Sequence, residues 1–319
     1  VSLAGGGSDF REYYSRTPGS VLALAIDRYM YVTVNRRFDD SIRVSYTRTE
    51  IVDDVEQLQH ALIREAMKMV GLTRGLEVTT IADLPAGIGL GSSSSLTVGV
   101  LDALYAFKGE RKSADELAKR ACEIEIEILG RPIGKQDQFI AAFGGLRFIT
   151  FCPDERVVVD PVVCSPAVRD ALVDRLMLFY TGVTRDAESV LSEAKERMKA
   201  PGCARAALDA LVALAHDMRD SLVSNGLARV GQLLEEGWAL KKRMASNVTN
   251  GRLDELHGLA RAAGAVGAKV SGAGGGGCLL VFAEPETQAH IRLALRGAGL
   301  DEVPFTLEPE GSRIIYYGM

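Results

Sequence analysis

The stretch Pro85–Ser95 (PAGIGLGSSSS) places three glycines at alternate positions, Gly87, Gly89 and Gly91, directly before four serines, Ser92, Ser93, Ser94 and Ser95. Glycines let the backbone turn sharply and present N–H groups unobstructed. The apolar run Leu96–Phe107 that follows reads as a buried helix. A glycine turn emptying into a helix start is an anion site, with free N–H donors and the positive end of the helix dipole. The serine hydroxyls add donors for phosphate oxygens and ligands for a divalent cation. The plainer alternative is a serine-capped helix after a flexible turn. The P-loop lysine is missing and the glycine spacing is not that of a dinucleotide fold, so the pattern points to triphosphate held by backbone and hydroxyl. Two more glycine clusters flank it. Gly5–Asp9 (GGGSD) ends on a carboxylate, and residues 272–277 (GAGGGG) lie between two apolar strand-like runs, where close backbone approach to a ligand explains them better than linker flexibility.

Two carboxylates stand out. On the expected helix from the Ser113–Glu116 capping box to about Leu129, Glu116, Arg120, Glu123 and Glu127 form the polar stripe and Leu117, Ala121, Ile124 and Ile128 the apolar one. Glu125 lies beside the apolar stripe, a costly place unless a partner, such as a cation, neutralises it. The alternative is an edge carboxylate that reaches solvent or an arginine such as Arg131. Further on, Lys135, Gln136, Asp137 and Gln138 sit between apolar segments, a composition suited to a pocket floor. Asp137 there can accept a proton or hold a hydroxyl, with Lys135 favouring its ionised form, or the run is a helix start capped by Gln and Asp.

These residues need a scaffold. Strands are expected near 20–26, 29–36, 41–46 and 76–81, with an amphipathic helix over 54–71, and strands again near 146–151 and 156–163. The texture changes at 165–175, which sets a boundary between a domain at 1–170 and another at 171–319. In the second, a strand at 176–182 ends in Val183–Arg185. A helical tract runs over 186–265 with breaks at Pro201-Gly and Asn225-Gly, and Trp238 is assigned to its core. The third glycine loop follows with its two strands, then a helix near 285–298 and strands near 303–307 and 313–317. That order implies helices on an antiparallel sheet, an α+β chain.

With 319 residues, two domains are the natural expectation. A net charge of -5 argues against a nucleic-acid partner. No apolar run approaches a membrane span, and no membrane partner is expected. Five scattered cysteines without C-x-x-C spacing fit reduced thiols in a cytoplasmic protein, and the four histidines have no metal-ligand spacing. The chain opens on Val1 in a strand-like run without an initiator Met, so residues are expected upstream.

The three glycine segments, in this order and over essentially the whole chain, resemble the GHMP kinases: Pro85–Ser93 matches the middle motif and Lys269–Cys278 the third, while Val1–Asp9 matches a first motif cut short at its start. The resemblance implies a two-domain GHMP kinase fold, with an α/β N-terminal and a ferredoxin-like C-terminal domain. It implies ATP and Mg²⁺ as cofactors, with ATP along Gly87–Ser95. It makes Asp137 the base, Glu125 and a serine, Ser93 preferred, the metal ligands, and Gly7, Ser8 and Asp9 sugar contacts. Gly272, Gly274 and Gly275 would approach the phosphates or the sugar, and Gln136 would be a further substrate contact. Lys135 and Arg185 are candidates, on charge alone, for neutralising phosphate. Within the family, Gly5–Asp9, Pro132–Gln138 and Leu178–Arg185 look most like the enzymes that phosphorylate the anomeric hydroxyl of D-glycero-D-manno-heptose 7-phosphate. Fucokinase-like sugar kinases are close by the same segments, and a non-catalytic sugar-binding regulator on this fold is the competing class. A homodimer is left open. Ser8 stands where threonine is more usual.

Overall fold

A computed structural model describes residues 1–183, 187–199 and 202–318. In chain order the first elements are β1 (Ser2–Ala4), α1 (Arg11–Tyr14), β2 (Gly19–Leu24), β3 (Met30–Arg36), β4 (Ile42–Ser45), β5 (Thr49–Val52), α2 (Ala61–Val70) and β6 (Leu76–Ala82). Next come α3 (Ser92–Phe107), α4 (Ala114–Cys122), α5 (Gln136–Phe143), β7 (Leu146–Phe151), β8 (Val157–Pro161), α6 (Pro166–Arg175) and β9 (Leu176–Tyr180). The chain ends with α7 (Ala187–Lys199), α8 (Cys203–Val223), α9 (Leu227–Lys241), α10 (Gly251–Ala262), β10 (Gly267–Val270), β11 (Cys278–Phe282), α11 (Pro285–Gly297) and β12 (Asp301–Glu302).

Contacts group the chain into two units, each assembled from several segments: Val1–Asp27 with Gly87–Leu90 and Gly145–Glu308, and Arg28–Ala86 with Gly91–Gly144 and Pro309–Met319. A single cut near residue 170 does not coincide with these units. The reason is that α8, from the second half of the chain, packs on β1 and β2 from its start, while β2 pairs along its whole length with β7, from Gly19 opposite Phe151 to Leu24 opposite Leu146.

The unit containing Gly91–Gly144 carries a sheet in the order β3-β6-β4-β5, antiparallel except where β4 and β6 run parallel. Helix α3 is its central helix, with Leu96, Val98, Val100, Leu101 and Leu104 buried. It begins at Ser92, so the four serines form its first turn rather than preceding it. Its N-cap is Gly91, at φ +74°, a conformation that glycine adopts without steric cost. Helix α4 starts on the expected capping box, with Ser113 Oγ accepting from Glu116 N–H and Glu116 accepting from Ser113 N–H. Helix α5 starts at Gln136, which puts Asp137 in its first turn, and its N-cap Lys135 makes no side-chain cap bond.

The other unit holds two antiparallel sheets, β1-β2-β7-β8 and β10-β11-β9-β12. Numbered within the second, the strand order is 2-3-1-4, with α7–α10 between its first and second strands and α11 before its fourth. That is the β-α-β-β-α-β ferredoxin-like arrangement. Its core includes Phe179, Leu211, Trp238, Leu253, Val281 and Ile291.

Four local expectations change. Residues 166–175 form α6, with Pro166 at its start and Ser165 Oγ accepting from Val168 N–H, where the sequence suggested a boundary. The long helical tract has a further break between α9 and α10, masked in the sequence because Met244, Ala245 and Val248 in that connection are themselves buried. The strand expected at 303–307 is not formed there; the strand lies just before it, as the two-residue β12, and Leu307 makes only an isolated bridge to Ile26. Val303 N–H still donates to Leu178 O, but Pro304 has no N–H to extend the ladder. Residues 313–317 form no strand, and Ile315, Tyr316 and Tyr317 are exposed.

Candidate active site

Within the Gly91–Gly144 unit, the structure brings Ser93, Glu125, Arg131 and Gln138 together, and sets Gly91 against Asp137. Helix α4 does not continue in α-geometry past Cys122. Over Glu123–Ile128 it widens into a π-turn, with Leu129 N–H donating to Ile124 O five residues back. Arg131 N–H then donates to Glu125 O at 3.0 Å. The extra residue per turn rotates Glu125 from the margin of the apolar stripe fully into the interior, where it is 0% exposed.

A buried carboxylate must be satisfied by polar partners. Ser93 Oγ donates to Glu125 Oε2 at 2.7 Å, Gln138 Nε2 donates to Oε1 at 3.0 Å, and Arg131 Nη1 lies 3.5 Å from Oε2. Arg131 Nη1 also donates to Ser93 Oγ at 2.6 Å. Burial pushes the Glu125 carboxyl above the ordinary glutamate value, against the pull of hydrogen bonds from Ser93, Gln138 and Ser94 and the charge of Arg131. Gln138 was legible only as part of a polar run. Arg131 was legible only as a partner that would make Glu125 structural, and its contact with Ser93 has no sequence signal.

The first intrahelical bond of α3 runs from Ser95 N–H to Gly91 O, so the preceding N–H groups have no acceptor within the helix. A Cβ on Gly91 would lie 3.2 Å from Asp137 Cγ and 3.4 Å from its Oδ2, so the Asp137 carboxylate rests on this glycine's backbone. Gln136 and Lys135 immediately precede it and are half-buried.

In the other unit, residues Gly87–Leu90 meet the third glycine loop. A Cβ on Gly89 would approach Ser271 O to 3.0 Å, and one on Gly272 would come within 2.7 Å of Gly89 O. Gly274 and Gly275 hold φ of +93° and +75°, and Gly275 N–H donates to Val248 O at 2.6 Å. Lys241 Nζ donates to Gly272 O. The glycine-rich runs therefore serve backbone-to-backbone approach. In the same unit, Gly7 N–H donates to Asp9 Oδ1 at 2.9 Å, and Asp9 is buried. The Ser8 hydroxyl is engaged by backbone: it donates toward Gly5 O and Ser20 O and accepts from Ser20 N–H. Lys269 was visible only as a motif position. It is buried in β10, and its Nζ donates to Ser2 O at 2.9 Å and Leu3 O at 3.2 Å, pinning β1 just before the Gly5–Asp9 loop. Burial holds its amine well below the ordinary lysine value, and the charge of Lys241 adds to this. Arg185 lies outside the described residues.

No cluster of three or more His, Cys, Asp or Glu side chains suits a metal among the described residues. A magnesium ion that shares its ligands with a nucleotide's phosphates needs only one or two protein carboxylates. The donor set fits that role. Glu125 and Ser93 offer a carboxylate and a hydroxyl oxygen 2.7 Å apart, and the buried Oε1 of Gln138, whose amide nitrogen bonds Glu125, has no hydrogen-bond partner among the described residues.

Family profiles agree with the architecture. The profile for the GHMP kinases N terminal domain matches residues 57–145, and that for the GHMP kinases C terminal matches residues 218–300. The chain belongs to the GHMP kinases. Among its relatives, the D-glycero-alpha-D-manno-heptose 7-phosphate kinase of Campylobacter jejuni is 31% identical over 314 residues, which is 93% of this chain and 91% of that one. The mevalonate kinase of Pyrococcus horikoshii is 27% identical, over 94% of this chain and 82% of that one. A solved structure described as a D-glycero-D-manno-heptose 1-phosphate kinase from Bacteroides thetaiotaomicron superposes with a TM-score of 0.79. It is 27% identical, and the match covers 99% of this chain and 97% of that one.

Proposed function

We propose that this chain is an ATP-dependent sugar-phosphate kinase that phosphorylates the anomeric C1 hydroxyl of D-glycero-D-manno-heptose 7-phosphate, giving the 1,7-bisphosphate. The observation that carries the substrate is the 31% identity to the heptose 7-phosphate kinase along nearly the full length of both chains. The fully buried Glu125, bonded to the half-buried Ser93, supports catalysis rather than a binding-only role, since a fully buried carboxylate is retained at a cost.

In this reading the ATP phosphates lie on the N–H groups of Gly87–Ser95 and on the serine hydroxyls at the start of α3. Glu125 and Ser93 would hold Mg²⁺, which when bound supplies positive charge to the phosphate oxygens. Asp137 orients the C1 hydroxyl and accepts its proton as the oxygen attacks the γ-phosphorus in line. The new O–P bond forms as the bond to the β,γ-bridging oxygen breaks, and ADP leaves. Gly7, Ser8 and Asp9 fix other sugar hydroxyls, with Asp9 the acceptor. Ser8 contributes by shaping this loop, because its hydroxyl and its N–H are already engaged with Gly5 and Ser20. Gln136 and the Gly272, Gly274 and Gly275 loop complete the substrate contacts, and Lys135 and Arg185 neutralise phosphate. The five scattered cysteines, which have no C-x-x-C spacing, and the use of ATP support a cytoplasmic enzyme. No described helix is long and apolar enough to cross a membrane.

An ATP-consumption panel with heptose 7-phosphate, fucose, galactose and mevalonate tests the substrate. Heptose 7-phosphate is expected to lead the others by about two orders of magnitude in kcat/KM, as befits a site built to bind particular polar groups. A lead by fucose or mevalonate moves the chain to those branches, and no turnover with any of the four favours a regulator.

A further inference from the structure

Glu125 is wholly buried, and its charge is met by Arg131, whose Nη1 is 3.5 Å from Glu125 Oε2 and 2.6 Å from Ser93 Oγ. Those are the two oxygens, themselves 2.7 Å apart, that the proposed function gives to the metal. We propose that Arg131 is a placeholder cation: it occupies the metal's position between Ser93 and Glu125 and surrenders it when the divalent ion binds. This inference rests on the reading of Glu125 and Ser93 as metal ligands and goes beyond it.

The chemistry forces a competition. Magnesium sits about 2.0–2.1 Å from each oxygen ligand and demands lone pairs directed at it. The Ser93 hydroxyl donates its proton to Glu125, and Arg131 engages its lone pairs. Two cations sharing one carboxylate oxygen and one hydroxyl repel each other strongly away from bulk water. Lysine or histidine could relieve such a clash by releasing a proton, but a guanidinium does not deprotonate in proteins, so Arg131 must move. It has the means. Its side chain is 29% exposed while Glu125 is fully enclosed, and it stands on the irregular segment between the π-turn and α5. Its five donors suit phosphate oxygens once it has left Ser93. Without the metal, the same side chain spares the fold an unpaired buried charge, so Glu125 and Ser93 remain preformed for the ion.

The test titrates Mn²⁺ into the nucleotide-free protein and follows free Mn²⁺ by electron paramagnetic resonance, for wild type, R131M, E125Q and the double variant. Losing one charge-assisted competitor should tighten Mn²⁺ binding by about tenfold in R131M. The gain should vanish when E125Q is added. In the absence of metal R131M should melt below wild type, and Mn²⁺ should restore more of its stability than it adds to wild type. If R131M does not fold, R131K, which keeps a charge but loses the planar fork, should still tighten binding by about threefold. Unchanged or weaker Mn²⁺ binding in the arginine variants, with E125Q abolishing it, overturns the placeholder and leaves the metal ligands standing. Mn²⁺ binding indifferent to E125Q removes the metal reading itself, and the placeholder with it.

Discussion

The contact between Gly91 and Asp137 offers a perturbation whose size follows from the coordinates. Gly91→Ala introduces two costs. The residue holds φ +74°, where an L side chain costs about 1–2 kcal/mol. The new Cβ would also stand 3.2 Å from Asp137 Cγ and 3.3 Å from its Cβ, so the carboxylate must give way by a few tenths of an ångström. Gly71→Ala isolates the first cost. Gly71 ends α2 at φ +77°, and no described residue lies within 4 Å of the Cβ it would gain. Both variants should lose a few degrees in melting temperature, Gly91→Ala at least as much as Gly71→Ala. Misplacing a reacting group by about 1 Å costs up to ~100-fold in rate, so a shift of a few tenths should lower kcat by about tenfold. That loss should appear in Gly91→Ala alone. Steady-state kinetics beside thermal melts read both effects. In a D137N background, Gly91→Ala should cost little further rate, since the group it displaces no longer accepts a proton. An unchanged kcat in Gly91→Ala, or an equal loss in Gly71→Ala, would refute the assignment of Asp137 to the reacting centre.

Other outcomes follow from single contacts. D137N should lower kcat by about 10²–10⁴-fold while nucleotide binding persists by calorimetry, and near-normal phosphoryl transfer would remove the base. Lys269→Met should raise the KM for the sugar and lower the melting temperature, because it frees two backbone carbonyls that pin β1 ahead of the Gly5–Asp9 loop; an unchanged KM would show that the loop holds without it. Asp102 is buried with Ser312 donating to it at 2.7 Å, and burial raises its carboxyl above the ordinary value. A carboxyl raised in the folded state makes ionisation oppose folding, so wild type should lose stability as pH rises through that shifted value. D102N lacks this slope, and its advantage in urea midpoint should widen from about pH 4 to pH 7; a parallel pair of pH profiles would contradict it.

Much of the site is written in local sequence because its parts are backbone devices. Alternating glycines before serines, a capping box, and glycine runs between apolar strands each specify their own geometry, and the structure shows α3 and the 271–277 loop accordingly. Glu125 was readable as anomalous but not as enclosed. A 3.6-residue period places it at the edge of the apolar stripe, and only the π-turn, a departure from that period, turns it inward. Lys269 is hidden for the opposite reason: one lysine in a short apolar strand carries no mark of where its amine ends. The serine and proline that start α6 were present at Ser165 and Pro166, yet the change in composition there suggested a boundary instead. The antiparallel order of the last sheet depends on pairings between segments about 100 residues apart, such as β9 with β11, which no local pattern encodes.

Transfer of the γ-phosphoryl group to the anomeric oxygen can be read from phosphorus NMR of the product of ATP and D-glycero-D-manno-heptose 7-phosphate. The product should show a new phosphate ester coupled to the anomeric proton, with the original 7-phosphate resonance retained and ADP formed in equal amount. A new phosphate at any other carbon, or ADP released without a sugar ester, would contradict it.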